Sequence, residues 1–294
     1  MSKTFHPLLK GAIDFHVHSA PSIFDRKQDD LELLSDVKRA QMSGVVLKSH
    51  ESSTAERAYL LSRLEPDLHL YGGIVLNQHV GGINPYAVET ALKMGGKVVW
   101  FPTLSAKQHQ HYFSQKDTKL FNGKPLLSES TVTISKNGQL TDQTNEVLGL
   151  IRDYNAVLAT GHLSLEEQYL LVQSAIETGI TNILIQHADM GISKIPFKDQ
   201  RYFASLGCII EKCFLACSSD FNDLTVKEMA ETINLLGHES CILVTDYGQP
   251  HHEAPVHAMN RFIKELLQSG IKEKQISQMV QDNPKTLLGV EINE

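Results

Sequence analysis

Short apolar runs recur along the chain, and most are followed by a longer stretch whose apolar residues fall at helical spacing. Eight runs read as strands: residues 12–16, 45–48, 70–76, 97–101, 157–160, 182–186, 208–212 and 241–245. Helical patterns lie between most of them. Residues 29–43 place Leu31, Leu34, Val37 and Met42 at near-helical spacing, and Gly44 stops the run. Residues 53–64 open with Thr54 and end before Pro66. Residues 85–94 begin with Pro85 behind an Asn84 cap and end at Gly95. Residues 164–178 carry a capping box, Ser164 with Glu167, and stop at Gly179. Residues 225–236, 255–269 (ending at Gly270) and 274–281 complete the series.

Eight strands alternating with helices imply parallel pairing through right-handed crossovers, and eight repeats close a barrel. The predicted fold is α/β, a (β/α)8 TIM barrel built by residues 1–294 as a single domain. A doubly wound open sheet is disfavoured, because the first strand is followed by no glycine-rich phosphate loop and the chain has no P-loop. One segment, about residues 103–145, shows no barrel helix. There Thr131-Val132-Thr133-Ile134 alternates, Lys136-Asn137-Gly138 signals a turn, and Gln139-Leu140-Thr141 follows. This predicts a β-hairpin insertion after the fourth strand, above the C-terminal face of the barrel. It is either an active-site lid or a structural or oligomer contact.

Composition narrows the function classes. The chain has 294 residues, 41% of them hydrophobic, with a formal net charge of −7. That balance argues against a nucleic-acid surface, which needs clustered Lys and Arg. No apolar run reaches the roughly 18 residues of a membrane span, and residues 1–11 lack the apolar core of a signal peptide. Cys208, Cys213, Cys217 and Cys241 lack paired zinc-ribbon spacing and read as reduced, mostly buried thiols. A cytoplasmic protein acting on a small molecule is expected, and a homo-oligomer is compatible with the fold.

The candidate chemistry lies at the predicted strand ends. In Ile13-Asp14-Phe15-His16-Val17-His18 the two histidines share one face of a strand. Lys48 and His50 end the second strand, Asn77 and His79 follow the third, His162 and His187 follow the fifth and sixth, Glu211 lies on the seventh, and Asp246 ends the eighth. Barrel enzymes work at this face. Buried charges cost several kcal/mol unless paired or bound to metal. Imidazoles and carboxylates suit a divalent ion, zinc first, with manganese, iron or nickel as alternatives. Such an ion brings the pKa of a bound water toward about 7. Asp246 is the candidate general acid/base. His162 and His187 are each either a metal ligand or a polariser of the substrate. Lys48 either holds an anionic substrate group or is a salt-bridged structural lysine. His50 is a ligand, a substrate contact, or a support behind the ligands, and Glu211 is a site residue or half of a buried ion pair. Arg26, in the loop after the first strand, reads as a solvated arginine, with anion binding as the alternative. His109, His111, His251 and His252 read as solvated loop histidines, and Trp100 as core or pocket wall.

His16, His18, His162, His187 and Asp246 occupy positions that resemble the metal-binding pattern of the amidohydrolase superfamily, with His-x-His on the first strand, histidines after the fifth and sixth, and aspartate after the eighth. Asp282-Asn283-Pro284-Lys285-Thr286-Leu287-Leu288-Gly289 also resembles the segment that closes many of these barrels. Residues 14–21, 44–53, 72–84, 159–164 and 245–250 are similar to a group of cytosolic amidohydrolase-like proteins for which no substrate is known. The resemblance implies a metal-dependent hydrolase attacking an amide, ester, lactone or imine carbon, with a water-derived nucleophile. The fourth strand ends Trp100-Phe101-Pro102-Thr103, without the lysine or glutamate that bridges two metals in many members. One ion is therefore expected, with Lys48, His50 and Glu211 leaving a second open. The second-strand histidine is similar to that of PHP phosphoesterases. The alternatives are a phosphoesterase, a decarboxylase or hydratase, or a barrel that binds metal or ligand without catalysis.

Overall fold

The structure, a computed structural model, describes residues 5–115 and 130–290. The strands are β1 (Ile13–Val17), β2 (Gly44–Leu47), β3 (His69–Tyr71), β4 (Gly73–Val75), β5 (Val98–Trp100), β6 (Ser135–Lys136), β7 (Gln139–Leu140), β8 (Val157–Ala159), β9 (Ile183–Ile185), β10 (Ile209–Cys213) and β11 (Cys241–Val244). Apart from the β6–β7 pair, every ladder is parallel. One sheet runs β1-β2-β3 and another runs β11-β10-β9-β8-β5-β4. They meet at two seams. At the first, β3 continues into β4 through Gly72 as a single stave. At the second, β11 meets β1, where the Asp246 N–H donates to His16 O and the His18 N–H to Tyr247 O, both at 2.9 Å. Eight staves thus close into the expected (β/α)8 barrel.

The break in the third stave has a local cause. A Cβ on Gly72 would stand 2.3 Å from the carbonyl oxygen of Thr54, so only glycine fits. Thr54 Oγ1 accepts from the Gly73 N–H at 2.9 Å and donates to Leu47 O at 2.7 Å. One hydroxyl therefore ties the second stave to the third where the third changes partner from β2 to β5.

Helices α1 (Asp30–Arg39), α2 (Ala55–Leu64) and α3 (Pro85–Lys93) follow the first three staves. After β5 come α4 (Lys107–Ser114) and then α5 (Asp142–Asp153), the outer helix of the fourth repeat. The helices α6 (Leu165–Thr178), α7 (Phe197–Ser205), α8 (Val226–Leu236) and α9 (Pro255–Gln268) complete the ring, and α10 (Glu273–Ser277) and α11 (Asn283–Leu288) close the base. The capping box of Ser164 and Glu167 forms as its spacing predicts. Asn283 donates to His238 O at 2.8 Å and Cys241 O at 2.6 Å, pinning the last helix to the base of β11.

The fourth connection corrects the expectation of a helix-free insertion, because α4 lies within it and α5 begins before its expected end. The hairpin around Asn137 and Gly138 is confined to β6 and β7, two residues each. Val132 instead makes an isolated bridge to Ala106. Residues 116–129 of the expected insertion lie outside the described residues. The four cysteines are free thiols, three buried and Cys217 half-buried.

Candidate functional site

Side-chain alternation sets the site. On β10, Glu211 points into the barrel mouth while Lys212 points outward, to Asp189 Oδ2 at 2.9 Å and Gln200 Oε1 at 3.0 Å. On β1, His16 and the following His18 both face the mouth. His16 Nδ1 lies 3.2 Å from Glu211 Oε2, and its Nε2 lies 3.0 Å from Asp246 Oδ1. His18 Nε2 lies 3.0 Å from the same Asp246 oxygen. Glu211 Oε1 accepts from the backbone N–H of His187 at 3.1 Å. It also lies 3.0 Å from His187 Nδ1, off the line of a hydrogen bond. Asp246 Oδ2 stands 3.7 Å from His187 Nε2.

The chain turns sharply at these stave ends. Gly161, just before His162, has φ +64°, and a Cβ there would stand 2.2 Å from Phe101 O. His187 and Asp246, with φ of +53° and +57°, adopt the left-handed region without being glycine. Such strain clusters at functional sites. Behind them, Asp14 Oδ1 accepts from the His16 N–H at 3.2 Å and the Thr245 N–H at 3.1 Å, joining the first and last staves. Burial raises the Asp14 pKa to about 7, against the lowering effect of its bonds to Thr245.

A second tier surrounds this centre. The His50 ring stacks on His18 at 4.8 Å, and its Nδ1 lies 2.8 Å from Thr103 Oγ1. Asn77 donates to that hydroxyl at 2.8 Å and to His50 O at 2.9 Å, so it supports the site from behind. His79 is exposed on the turn beyond and stays apart. His162 Nδ1 lies 2.8 Å from His109 Nδ1, while His162 Nε2 is buried without a partner. His109 corrects a sequence expectation. It is only 6% exposed and is the inward residue of α4. Its neighbour His111 is exposed as expected. His251 and His252 are not simply solvated either, since the Nε2 of each lies 2.8 Å from Asp220 Oδ2 at the pocket mouth.

Electrostatics favour neutral imidazoles at His18, His50, His162 and His187 beside ionised carboxylates. Burial holds His18, His50 and His162 well below the ordinary histidine range, and lowers His187. Burial also acts to lower His16, but the charges of Asp246 and Glu211 outweigh it and raise that pKa. Asp246 and Glu211 are held below the carboxylate range, against burial, by His16 and His187.

The donor set fits a divalent ion. His16, His18 and Asp246 each offer a ligand atom, and these atoms lie within 4.8 Å of one another. Zinc–nitrogen bonds of about 2.0–2.1 Å in a tetrahedron require donors about 3.4 Å apart. Glu211 takes the Nδ1–H of neutral His16, which leaves Nε2 as the lone-pair nitrogen, the carboxylate–histidine arrangement common behind metal ligands. His16, His187 and Glu211 form a second such group. Lys48 Nζ also lies 3.0 Å from His16 Nε2. For that nitrogen to serve an ion, Lys48 must yield this contact or lose its proton, and burial lowers its pKa to about 8.

The pocket above the centre is lined by His18, His50, His162, His187 and Asp246 on its polar side. Lys48 is 1% exposed and absent from the wall. It contacts His16 and approaches the Trp100 ring at 5.9 Å, so it is not placed to hold an anionic substrate group. Arg26 is the reverse case: expected in solvent, it is partly buried in the pocket wall. Position along the chain carried no signal for either orientation. The run Phe24-Asp25-Arg26 after a site strand was the one available hint.

The model of a family of unknown function, DUF6282, matches residues 11–211. No curated protein matches the chain by sequence. Several solved structures of amidohydrolase-superfamily members share the fold. An amidohydrolase from Pseudomonas aeruginosa is 13% identical over 96% of each chain, with a TM-score of 0.61. N-acetyl-D-glucosamine-6-phosphate deacetylase from Mycobacterium smegmatis is 13% identical over 95% of this chain and 76% of its own, with a TM-score of 0.55. 2,6-Dihydroxybenzoate decarboxylase from Rhizobium is 11% identical over 95% of this chain and 99% of its own, with a TM-score of 0.54. At such identities the likeness establishes the fold.

Proposed function

The chain belongs to the DUF6282 family, and we propose that it is a metal-dependent hydrolase of a small molecule. The observation that carries this reading is the convergence of His16 Nε2 and His18 Nε2 on one oxygen of Asp246, with Glu211 fixing the far nitrogen of His16. His16, His18 and Asp246 would hold one divalent ion, zinc by preference, with His162 or His187 completing the set. The fourth stave adds no bridging ligand, which favours a single ion. When bound, the ion supplies acidified water and polarisation of the bond to be cleaved.

The side chains divide the remaining work. Asp246 uses Oδ1 toward the two first-stave histidines, and its Oδ2, 3.7 Å from His187 Nε2, is the oxygen left for proton transfer. Oδ2 accepts the proton of the attacking water and returns it to the leaving group of an amide, ester or lactone. His162 Nε2, buried and unpartnered, serves either as a further ligand or as a contact to the substrate carbonyl. Lys48 sets the charge around His16 instead of binding substrate. The fold-sharing structures are named for hydrolysis, deacetylation and decarboxylation, so the choice of reaction rests on the site.

The test is a panel of esters, lactones, amides and phosphate monoesters, offered to zinc-, manganese-, iron- and nickel-loaded protein and to chelated protein. Turnover of a carbonyl substrate is expected only with metal, and Asp246→Asn should lower kcat by about 10²–10⁴-fold, the usual contribution of a general acid/base. Turnover confined to phosphate esters, or unchanged by chelation, would overturn the proposal.

A further inference from the structure

Arg26 lies in a loop held on both flanks. The Lys27 N–H donates to Gly248 O at 2.8 Å, and the Ala20 N–H donates to Gln28 O at 2.9 Å. The Ile23 N–H donates to Glu51 Oε1 at 2.9 Å. The guanidinium packs over the Phe24 ring at 5.5 Å and contributes to the wall of the pocket. Its Nε and Nη2 are shut off from bulk water and have no hydrogen-bond partner. Among the described residues no ion pair forms at Arg26 within 4.0 Å; the charges of Glu51 and Asp246 act on it from farther off, and the Glu51 Oε2 is itself buried and unpartnered. The positive charge is thus partly balanced, but the two N–H groups of this edge are not, and a buried donor left unmet costs about 1–3 kcal/mol. A loop that fixes such an edge beside a catalytic pocket points to an anion that arrives with the ligand.

Geometry selects the kind of anion. Nε and Nη2 form one edge of the guanidinium, two parallel N–H groups that match the two oxygens of a carboxylate. The protein uses this same edge elsewhere, where Arg57 donates from Nε to Asp30 Oδ2 at 2.8 Å and from Nη2 to Asp30 Oδ1 at 2.6 Å. On Arg26 the identical edge is empty. One arginine balances one negative charge, which suits a carboxylate over a phosphate dianion.

We propose that Arg26 anchors a substrate carboxylate through its Nε–Nη2 edge, with the substrate's apolar body lying against Phe113, Met190, Leu215 and Phe221. The inference rests on the reading of this pocket as the substrate site. The guanidinium turns toward the pocket to meet the carboxylate, and the reacting bond is presented on the His18–Asp246 side. The substrate class is then a compact carboxylic acid that carries a second, hydrolysable group.

Binding separates this inference from the metal reading. Benzoate, its uncharged isostere benzamide, and phenyl phosphate are titrated by calorimetry into full-length protein, both zinc-loaded and chelated. Benzoate should bind better than benzamide in both forms. Arg26→Gln should weaken benzoate by about ten- to a hundredfold, the range for a lost charge-assisted fork, and leave benzamide within twofold. Arg26→Lys, which keeps the charge without the fork, should fall between. Thermal melts and metal content, expected unchanged, show that the variants are folded and loaded. Equal binding of benzoate and benzamide, tighter binding of phenyl phosphate, or benzoate binding that needs zinc and ignores Arg26 would each overturn the anchor. An Arg26-dependent preference for benzoate in a protein that takes up no metal would uphold the anchor while the hydrolase reading fails.

Discussion

Glu211 controls two histidines from one buried carboxylate. Oε2 faces His16 Nδ1, and Oε1 takes the backbone N–H of His187. Glu211→Gln keeps the shape but no longer fixes the Nδ1–H tautomer of His16. Removing such a support behind a metal ligand typically weakens metal affinity by about 10–100-fold. That loss is the expected outcome in a chelator-competition titration, with the circular dichroism spectrum unchanged; unaltered affinity would show that Glu211 is half of a structural ion pair instead. Single residues were unevenly legible in the sequence. His16 and His18 were readable because strand alternation fixes their common face. Lys48, Arg26 and His109 were not, because their roles depend on how loops fold back. A long side chain such as Lys48 can reach a neighbouring ligand as easily as the pocket. His109 gains its place by an α-helix that turns one polar face inward.

Elements were legible where burial leaves an apolar signature. All eight staves matched short apolar runs, since residues on barrel strands are covered on both faces. Helices α4 and α7 escaped because much of their inward faces is polar, and α5 escaped although it buries Val147, Leu148 and Ile151, because the stretch leading into it read as an insertion. His109 is the buried residue of α4. On α7, Asp199 and Gln200 are buried because they serve Tyr169 Oη at 2.6 Å and Lys212 Nζ at 3.0 Å. Nor could periodicity show the break in the third stave, which is made by a hydroxyl. Thr54→Val keeps the volume but leaves the Gly73 N–H and Leu47 O without this bond. It should destabilise the fold by about 1–3 kcal/mol, the cost of a buried unsatisfied polar group, read as a lower urea midpoint at unchanged m-value. A wild-type midpoint would show that the stave break needs no such tie.

At the scale of the molecule, barrel closure assembles the site. His16 and Asp246 lie near opposite ends of the chain and meet only because β11 bonds to β1 at their C-terminal ends. The centre draws on the first, sixth, seventh and eighth staves, and the second tier on the second to fifth, so site and fold form together. The central claim is that His16, His18 and Asp246 hold a divalent ion. Elemental analysis of the purified full-length protein, as isolated and after reconstitution with zinc, manganese, iron or nickel, tests it most directly. The prediction is one metal equivalent per chain, lost in His16→Ala/His18→Ala. A wild-type protein that retains no metal after reconstitution, or a double variant that retains the full equivalent, would contradict it.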